Sequence, residues 1–165
     1  MKEKLLHYIW QYKLYKPFGL KTSDNQLIEV IDPGKLNTDA GPDFFNAKLK
    51  IEGTLWAGNI EIHVNASDWR KHQHDKNPAY DSVILHVVKK IDAIVCRTNG
   101  EKILQAALIY PIEMEQSYND MLSNSKWIAC ADKLKTLDSL LIHSCLSAML
   151  SDRLQHKSNN IIRIL

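Results

Sequence analysis

The sequence is poor in the residues that build disulfide frameworks and cysteine-ligated zinc sites. Its three cysteines, Cys96, Cys130 and Cys145, are far apart and form no C-x-x-C pair. An odd and widely spaced set favours neither a disulfide scaffold nor a zinc ribbon, and it fits a reducing, cytoplasmic location. The chain also has no Gly-rich phosphate loop, no internal repeat and no low-complexity tract.

Long apolar runs and a large charge of one sign are missing as well. No run approaches the ~20 apolar residues of a membrane span, and charged residues interrupt what would have to be a signal-peptide core near the N-terminus. We therefore expect no membrane partner. The net charge of +2 is too small to indicate a nucleic-acid partner by itself, so a local basic cluster would have to bind one.

The composition is that of a globular protein. A hydrophobic content of 45% and a charged content of 24% exclude a disordered or collagen-like chain. A length of 165 residues is enough to bury a core within one domain. We predict an α/β core over residues 1–112, with a mixed central sheet flanked by helices, and a helical segment over residues 113–165.

Hydrophobic periodicity predicts most of the elements. The predicted strands cover residues 26–31, 44–51, 55–64 and 81–89. The predicted helices cover residues 3–15, 113–123 and 134–156, with a short helix over residues 67–75 that begins at Ser67 or Asp68. Pro17 ends the first helix, which we expect to cover the apolar face of the sheet. Asn99-Gly100 predicts a hairpin with a type I′ turn.

Two carboxylates and a histidine stand in or beside the central strands. Asp43 follows a Gly-Pro turn at the start of one strand, and Glu61 and His63 are two residues apart in the next. A buried carboxylate is costly unless it is paired or binds a metal. The period of two in a strand places Glu61 and His63 on the same face. If the two strands are neighbours, the three side chains can converge on one divalent cation or one substrate oxygen.

Three further histidines are open to two interpretations. His72 and His74 either contribute to the site or belong to a solvated basic turn. On a continuous helix they would point about 200° apart, so a shared metal requires the helix to end before His74. His86 interrupts an apolar strand, where it is either a hydrogen-bonded core residue or part of the site.

A longer string of motifs resembles a known family. The segment Asn37–Phe44 reads N-x-D-A-G-P-D-F and residues 58–63 read G-N-I-E-I-H; these are followed by Ser67-Asp68-Trp69, His72, His74, Tyr80 and Val83–Val88. Over about residues 36–108 the chain resembles an uncharacterised bacterial family known as a domain of unknown function. Pro42-Asp43 with Glu61-Ile62-His63 also resembles the split motif of the PD-(D/E)XK phosphodiesterase superfamily, with histidine in place of the usual lysine.

The second resemblance implies a restriction-endonuclease-like fold and a metal-dependent phosphodiesterase acting on nucleic acid. Asp43, Glu61 and the Ile62 carbonyl would hold Mg or Mn, while His63 would orient or deprotonate the attacking water. Glu29 is either an additional ligand upstream of the Pro-Asp position or a solvent-facing strand residue. Members of the first family are longer, which predicts a further region after residue 165.

The predicted nucleic-acid-binding residues are Arg70, Lys71 and Lys76, which follow the motif closely. The alternative is that these cations are solvated surface. Trp69 and Tyr80 are placed to stack on bases.

Two other functions remain open from the residues themselves. Imidazole favours Zn or Fe over Mg, so that His63, His72, His74 and His86 would form the centre of a histidine-rich metallohydrolase. The remaining possibility is a non-catalytic module that binds nucleic acid or protein through a degenerate nuclease fold.

Overall fold

A computed structural model describes residues 3–15, 19–123 and 136–162, except for the side chains of residues 156 and 160. The chain forms two compact units, Met1–Asn119 and Asp120–Leu165. The first unit contains the whole sheet and the beginning of the helical segment predicted from residue 113. No helix in the described ranges is long and apolar enough to cross a membrane.

The elements follow the predicted order. The helices are α1 (Glu3–Gln11), α2 (Asp68–Lys71), α3 (Ile112–Ser123) and α4 (Ser139–Ile162), with two 3-10 turns at His74–Lys76 and Pro78–Tyr80. The strands are β1 (Ile28–Asp32), β2 (Lys35–Leu36), β3 (Phe44–Ile51), β4 (Thr54–Asn65), β5 (Val83–Lys90) and β6 (Gln105–Ala107). Pro17 and the predicted helix start at Leu134 lie outside the described residues.

The six strands form one mixed sheet, which confirms the predicted α/β architecture. The order is β1-β3-β4-β5-β6, and β2 pairs with the start of β3. Neighbours β1, β3 and β4 are antiparallel, whereas β4, β5 and β6 are parallel. A parallel pair requires a crossover connection. The crossover between β4 and β5, residues 66–82, contains α2 and both 3-10 turns.

The two faces of the sheet are covered differently. On one face, Ile60 and Ile62 of β4 pack in the main apolar cluster with the buried residues of α1, which are Leu5, Leu6, Ile9 and Trp10. The predicted role of the first helix is thus confirmed. The other face carries a smaller cluster around Trp69. Because strand side chains alternate, Glu61 and His63 lie on this second face, beside the crossover.

A β-bulge lies where β3 approaches the candidate residues. The pairing of β3 with β4 shifts by one residue between Phe44 and Ala47. Asn46 has a φ of +57°, and its N–H donates to Oδ1 of Asn59 at 3.1 Å. Bulges bend a strand and are frequent beside active sites. This bulge sets the direction in which the chain enters β3 from Asp43.

The predicted hairpin around Asn99-Gly100 forms, with main-chain hydrogen bonds from Arg97 to Glu101 and from Ile103 to Val95, but its turn is not type I′. The segment forms a single bridge, Cys96 with Lys102, and only Gly100 of the turn pair has a positive φ. A type I′ turn requires a positive φ at Asn99 as well. The Arg97 guanidinium donates at 2.8 Å to two main-chain carbonyls in and before β5. The Gly100 N–H donates to the Arg97 carbonyl at 3.0 Å, and the left-handed Gly100 fits the common three-residue hairpin loop, in which a type I turn is followed by a left-handed residue. The Arg97 contacts fix this loop to the sheet.

Two glycines permit a matched stability test. Gly34 (φ +88°) and Gly53 (φ +83°) both have left-handed backbones. A Cβ on Gly34 would lie 2.7 Å from the Phe45 carbonyl oxygen, whereas a Cβ on Gly53 has no neighbour within 4 Å. We expect Gly53→Ala to lower the free energy of unfolding by about 1–2 kcal/mol through backbone strain alone. Gly34→Ala should lower it further, as measured by urea denaturation; equal losses would contradict the close packing of this turn on β3.

Candidate functional site

Asp43 and Glu61 meet at the point where β3 stops pairing with β4. The Asp43 main-chain N–H donates to Oε2 of Glu61 at 3.1 Å, and the Ile62 N–H donates to Oδ2 of Asp43 at 2.9 Å. Each carboxylate therefore binds the backbone beside the other. Among the described residues, neither lies within ion-pair distance of a lysine or an arginine.

The loop before β3 presents Asp43 in this position. The Asn37 side-chain amide donates to three main-chain carbonyls between residues 39 and 42, and the Asn37 N–H donates to the Asp43 carbonyl at 2.7 Å. Gly41 has a φ of +112°, which favours glycine, and its carbonyl accepts from the Tyr80 hydroxyl at 3.3 Å. The N-x-D-A-G-P-D string thus encodes a loop that is held by Asn37 from within and by Tyr80 from the crossover.

His63 is enclosed by other imidazoles. Its Nδ1 lies 2.8 Å from Nε2 of His86 on β5, and its Nε2 lies 3.0 Å from Nδ1 of His72. Burial, together with these neighbouring imidazoles, lowers the pKa of His63 to about 2. Because both ring nitrogens face other imidazoles, the expected role of His63 as the base that deprotonates water does not fit this geometry.

The crossover brings His72 and His74 to the same point as His63. Helix α2 ends at Lys71, and Gln73 has a left-handed φ of +59°. The helix therefore ends before His74, as a shared metal requires. One ligand atom from each of His63, His72 and His74 lies within 4.8 Å of the other two. His72 is exposed, so this cluster reaches solvent on the side of His72.

His74 is buried beside Glu61. Its ring stacks on Tyr80 with centroids 3.7 Å apart, and its Nε2 lies 3.2 Å from Oε1 of Glu61. The same oxygen lies 3.5 Å from Nε2 of His63. In the described part of the chain, Nδ1 of His74 has no partner, and the contact of its Nε2 with Glu61 does not have the geometry of a hydrogen bond. The Glu61 carboxylate thus binds the backbone with one oxygen and faces two imidazoles with the other.

The site brings acidic groups close together, which disfavours the ionised form of Glu61. Burial, followed by the charge of Asp43, raises the pKa of Glu61 to about 9. Three other carboxylates act electrostatically on the same group of residues: Glu3, Asp68 and Asp75. This surrounding favours a bound cation.

His7 belongs to the site, although the sequence analysis did not select it. Its Nε2 lies 3.2 Å from Oδ2 of Asp43. Burial favours the neutral form of His7, but the Asp43 carboxylate outweighs this effect and raises the pKa of the imidazole. The helical periodicity of α1 marks His7 only as a polar position, so no local signal distinguishes it from solvent-facing residues.

Glu29 does not join the site. It is exposed on β1 and pairs with Lys50, near the far end of β3. At about 3.3 Å per residue along a strand, this position is roughly 20 Å from Asp43. The expectation of Glu29 as an additional ligand is therefore wrong, because the register of β1 on β3 takes it to the opposite end of the sheet.

The predicted nucleic-acid-binding residues are all exposed. Arg70 donates to a main-chain carbonyl at 3.2 Å, and Lys71 forms an ion pair with Asp68. Binding of nucleic acid through Arg70, Lys71 and Lys76 stays a prediction.

Trp69, one of the two aromatic residues expected to stack on bases, has a structural role. Trp69 is fully buried and packs against His74, His86 and Tyr80. The expectation that Trp69 stacks on bases is wrong, because its ring forms the inner wall behind the imidazoles.

Comparisons with known proteins give one finding. The model of a family described as "Protein of unknown function (DUF2851)" matches residues 3–165. No curated protein and no solved structure matches the chain significantly.

The buried titratable groups predict a stability maximum for the metal-free protein. Burial lowers the pKa of His63 to about 2 and that of His86 to about 3, so below pH 6.5 the unfolded chain binds protons that the folded chain does not. Stability then falls as pH decreases, by at most about 1.4 kcal/mol per pH unit for each histidine. The raised pKa of Glu61 acts oppositely: its contribution is present at low pH and is lost as pH rises towards 9.

Urea denaturation in the presence of a chelator should therefore show greatest stability near pH 6.5. His86→Gln should flatten the acid side, and Glu61→Gln should flatten the alkaline side. A pH profile of both variants parallel to that of the wild type would contradict these assignments.

Proposed function

We propose that this chain, which belongs to the DUF2851 family, is a metal-dependent hydrolase that cleaves phosphodiester bonds. The observation that carries the proposal is the meeting of Asp43 and Glu61 with a group of imidazoles, without a lysine or arginine partner in the described ranges. A buried carboxylate such as Glu61 is costly without a cation, and the half-buried Asp43 has only the His7 imidazole beside it. A divalent cation would compensate them.

The arrangement of the motif supports the phosphodiester class. Pro42-Asp43 lies at the start of β3, and Glu61-Ile62-His63 lies in the adjacent strand β4. Both halves of the PD-(D/E)XK-like motif thus reach one end of a mixed sheet that has a helix on each face. These features agree with the restriction-endonuclease-like fold that the resemblance implies.

The oxygen atoms at this end of the sheet fit a cation. Oδ2 of Asp43 and Oε2 of Glu61 accept main-chain N–H groups, which leaves the other oxygen of each carboxylate for a ligand. The N–H and C=O of one residue in an extended strand point to the same side, so the Ile62 carbonyl also faces Asp43. A divalent cation in such a site polarises a phosphoryl oxygen and lowers the pKa of water.

The side chains around the site hold the two carboxylates in position and exclude water. The crossed contacts between Asp43 and Glu61 fix both carboxylates before substrate binds. Trp69 and Tyr80 close the inner side, whereas exposed His72 marks the side from which a substrate enters. His7 places an imidazole with a raised pKa beside Asp43, where a positive charge would attract a phosphate.

Charge-removing substitutions test the proposal. Asp43→Asn and Glu61→Gln should each lower Mn²⁺-dependent hydrolysis of bis(p-nitrophenyl) phosphate and of single-stranded DNA or RNA. We expect losses of at least about 100-fold, because even residues that only support a metal ligand contribute 10–100-fold. Circular dichroism and thermal melting would show that the variants remain folded.

Glu29→Gln is the matched control, since this carboxylate lies on the same sheet but far from the site. It should retain the wild-type rate. Full activity of both site variants, an equal loss in the control, or no hydrolysis of any phosphodiester by the wild type would contradict the proposal.

A further inference from the structure

We infer that the ion at this site is a zinc-like transition metal bound by His63, His72 and His74 with Glu61, and that His86 positions His63. This deepens the proposed function, on which it rests only for the location of the site. It departs from the Mg or Mn that the motif resemblance implies.

Three of the six distances between the four candidate ligand atoms are close to those in a coordination shell. Nε2 of His63 lies 3.0 Å from Nδ1 of His72 and 3.5 Å from Oε1 of Glu61, and that oxygen lies 3.2 Å from Nε2 of His74. Ligands of a tetrahedral zinc ion, each about 2.05 Å from the metal, are roughly 3.3 Å apart. Two of the three observed distances, 3.0 and 3.2 Å, are shorter than this value, and the third, 3.5 Å, is longer.

Hydrogen bonds alone do not account for the cluster. They occupy both nitrogens of His63, but His74 is only 7% exposed and, in the described parts of the chain, neither of its nitrogens forms a hydrogen bond; Nε2 has only the ion-pair contact with Glu61. An unpaired buried polar atom is unfavourable. A metal bond to one nitrogen of His74 would remove the cost at that nitrogen. The missing hydrogen bonds of His74 are an observation separate from the distances between ligand atoms.

The donor set favours a transition metal over Mg²⁺. Three of the four candidate donors are imidazole nitrogens, which suit Zn, Fe, Ni and Cu, whereas Mg²⁺ prefers oxygen ligands in octahedral geometry. Two carboxylate oxygens of Asp43 and Glu61 are already occupied by main-chain N–H groups, which reduces what remains for a hard cation.

His86 determines which nitrogen of His63 is available. Its Nε2 lies 2.8 Å from Nδ1 of His63, and both residues are buried. When His63 carries its proton on Nδ1 and donates it to His86, the Nε2 lone pair faces His72 and Glu61. Metal-binding histidines commonly have such a partner on the second nitrogen. His86 is therefore a positioning residue that acts through His63.

Metal binding tests the ligand set without relying on activity. The full chain, stripped with a chelator, is dialysed against equimolar Zn²⁺, Mn²⁺ and Mg²⁺, and its metal content is measured by mass spectrometry. We expect one zinc per chain, and visible absorption bands of a tetrahedral ion when Co²⁺ is added instead. His72→Ala, at an exposed position, should weaken zinc binding at least about 100-fold. His143→Ala on α4, also exposed, should leave it unchanged.

Substitutions at His86 separate positioning from packing. His86→Gln supplies an amide oxygen that can accept the His63 Nδ1 proton in place of Nε2 and should bind zinc within about 10-fold of wild type, whereas His86→Leu should bind about 10–100-fold more weakly. NMR of ¹⁵N-labelled histidine in the metal-free protein should show His63 protonated on Nδ1 in the wild type and in His86→Gln. Equal affinities for all three proteins would overturn the role of His86.

The outcomes distinguish this inference from the proposed function. Zinc binding without phosphodiester hydrolysis would overturn the function and leave the metal site standing. Hydrolysis with Mg²⁺ by a chain that binds no zinc would overturn the metal site and leave the function. Unchanged zinc binding by His72→Ala would overturn the ligand set.

Discussion

The structure depends on the exchange of hydrogen bonds between Asp43 and Glu61. Strand β3 stops pairing with β4 at Phe44 and Ile60, so the next main-chain donors at this end of the sheet need other acceptors. The two carboxylates supply them, because each accepts the N–H that lies beside the other. The contact that completes the end of the sheet is therefore the same contact that orients the acids of the site.

The parts of the site that follow from local periodicity were predictable from the sequence. Strand β3 was predicted over the residues that form it, and alternation placed Glu61 and His63 on one face. From the sequence, His72 and His74 could be predicted to converge only on the condition that the helix ends before His74. The left-handed conformation of Gln73 decides it, and a glutamine carries no signal for that conformation.

The errors concern residues whose position is set by packing between distant segments. Glu29 lies in the predicted strand, but the strand register takes it away from Asp43. His7 was overlooked because a helical stripe shows which side of α1 faces the sheet, and not that one turn of the helix passes the end of β3. Trp69 was taken for a surface ring, although it fills the space between two imidazoles. Local sequence patterns contain none of this information.

The parallel pairing of β4 and β5 has a consequence for how such a protein can diverge. A chain that leaves one strand and enters a parallel neighbour must travel back along the sheet, and here that return path carries two of the imidazoles. Insertions or deletions in the return path would shift or remove these donors while every strand kept its neighbours. The scaffold and the imidazoles can therefore change separately, and relatives with the same sheet need not share the same donor side chains.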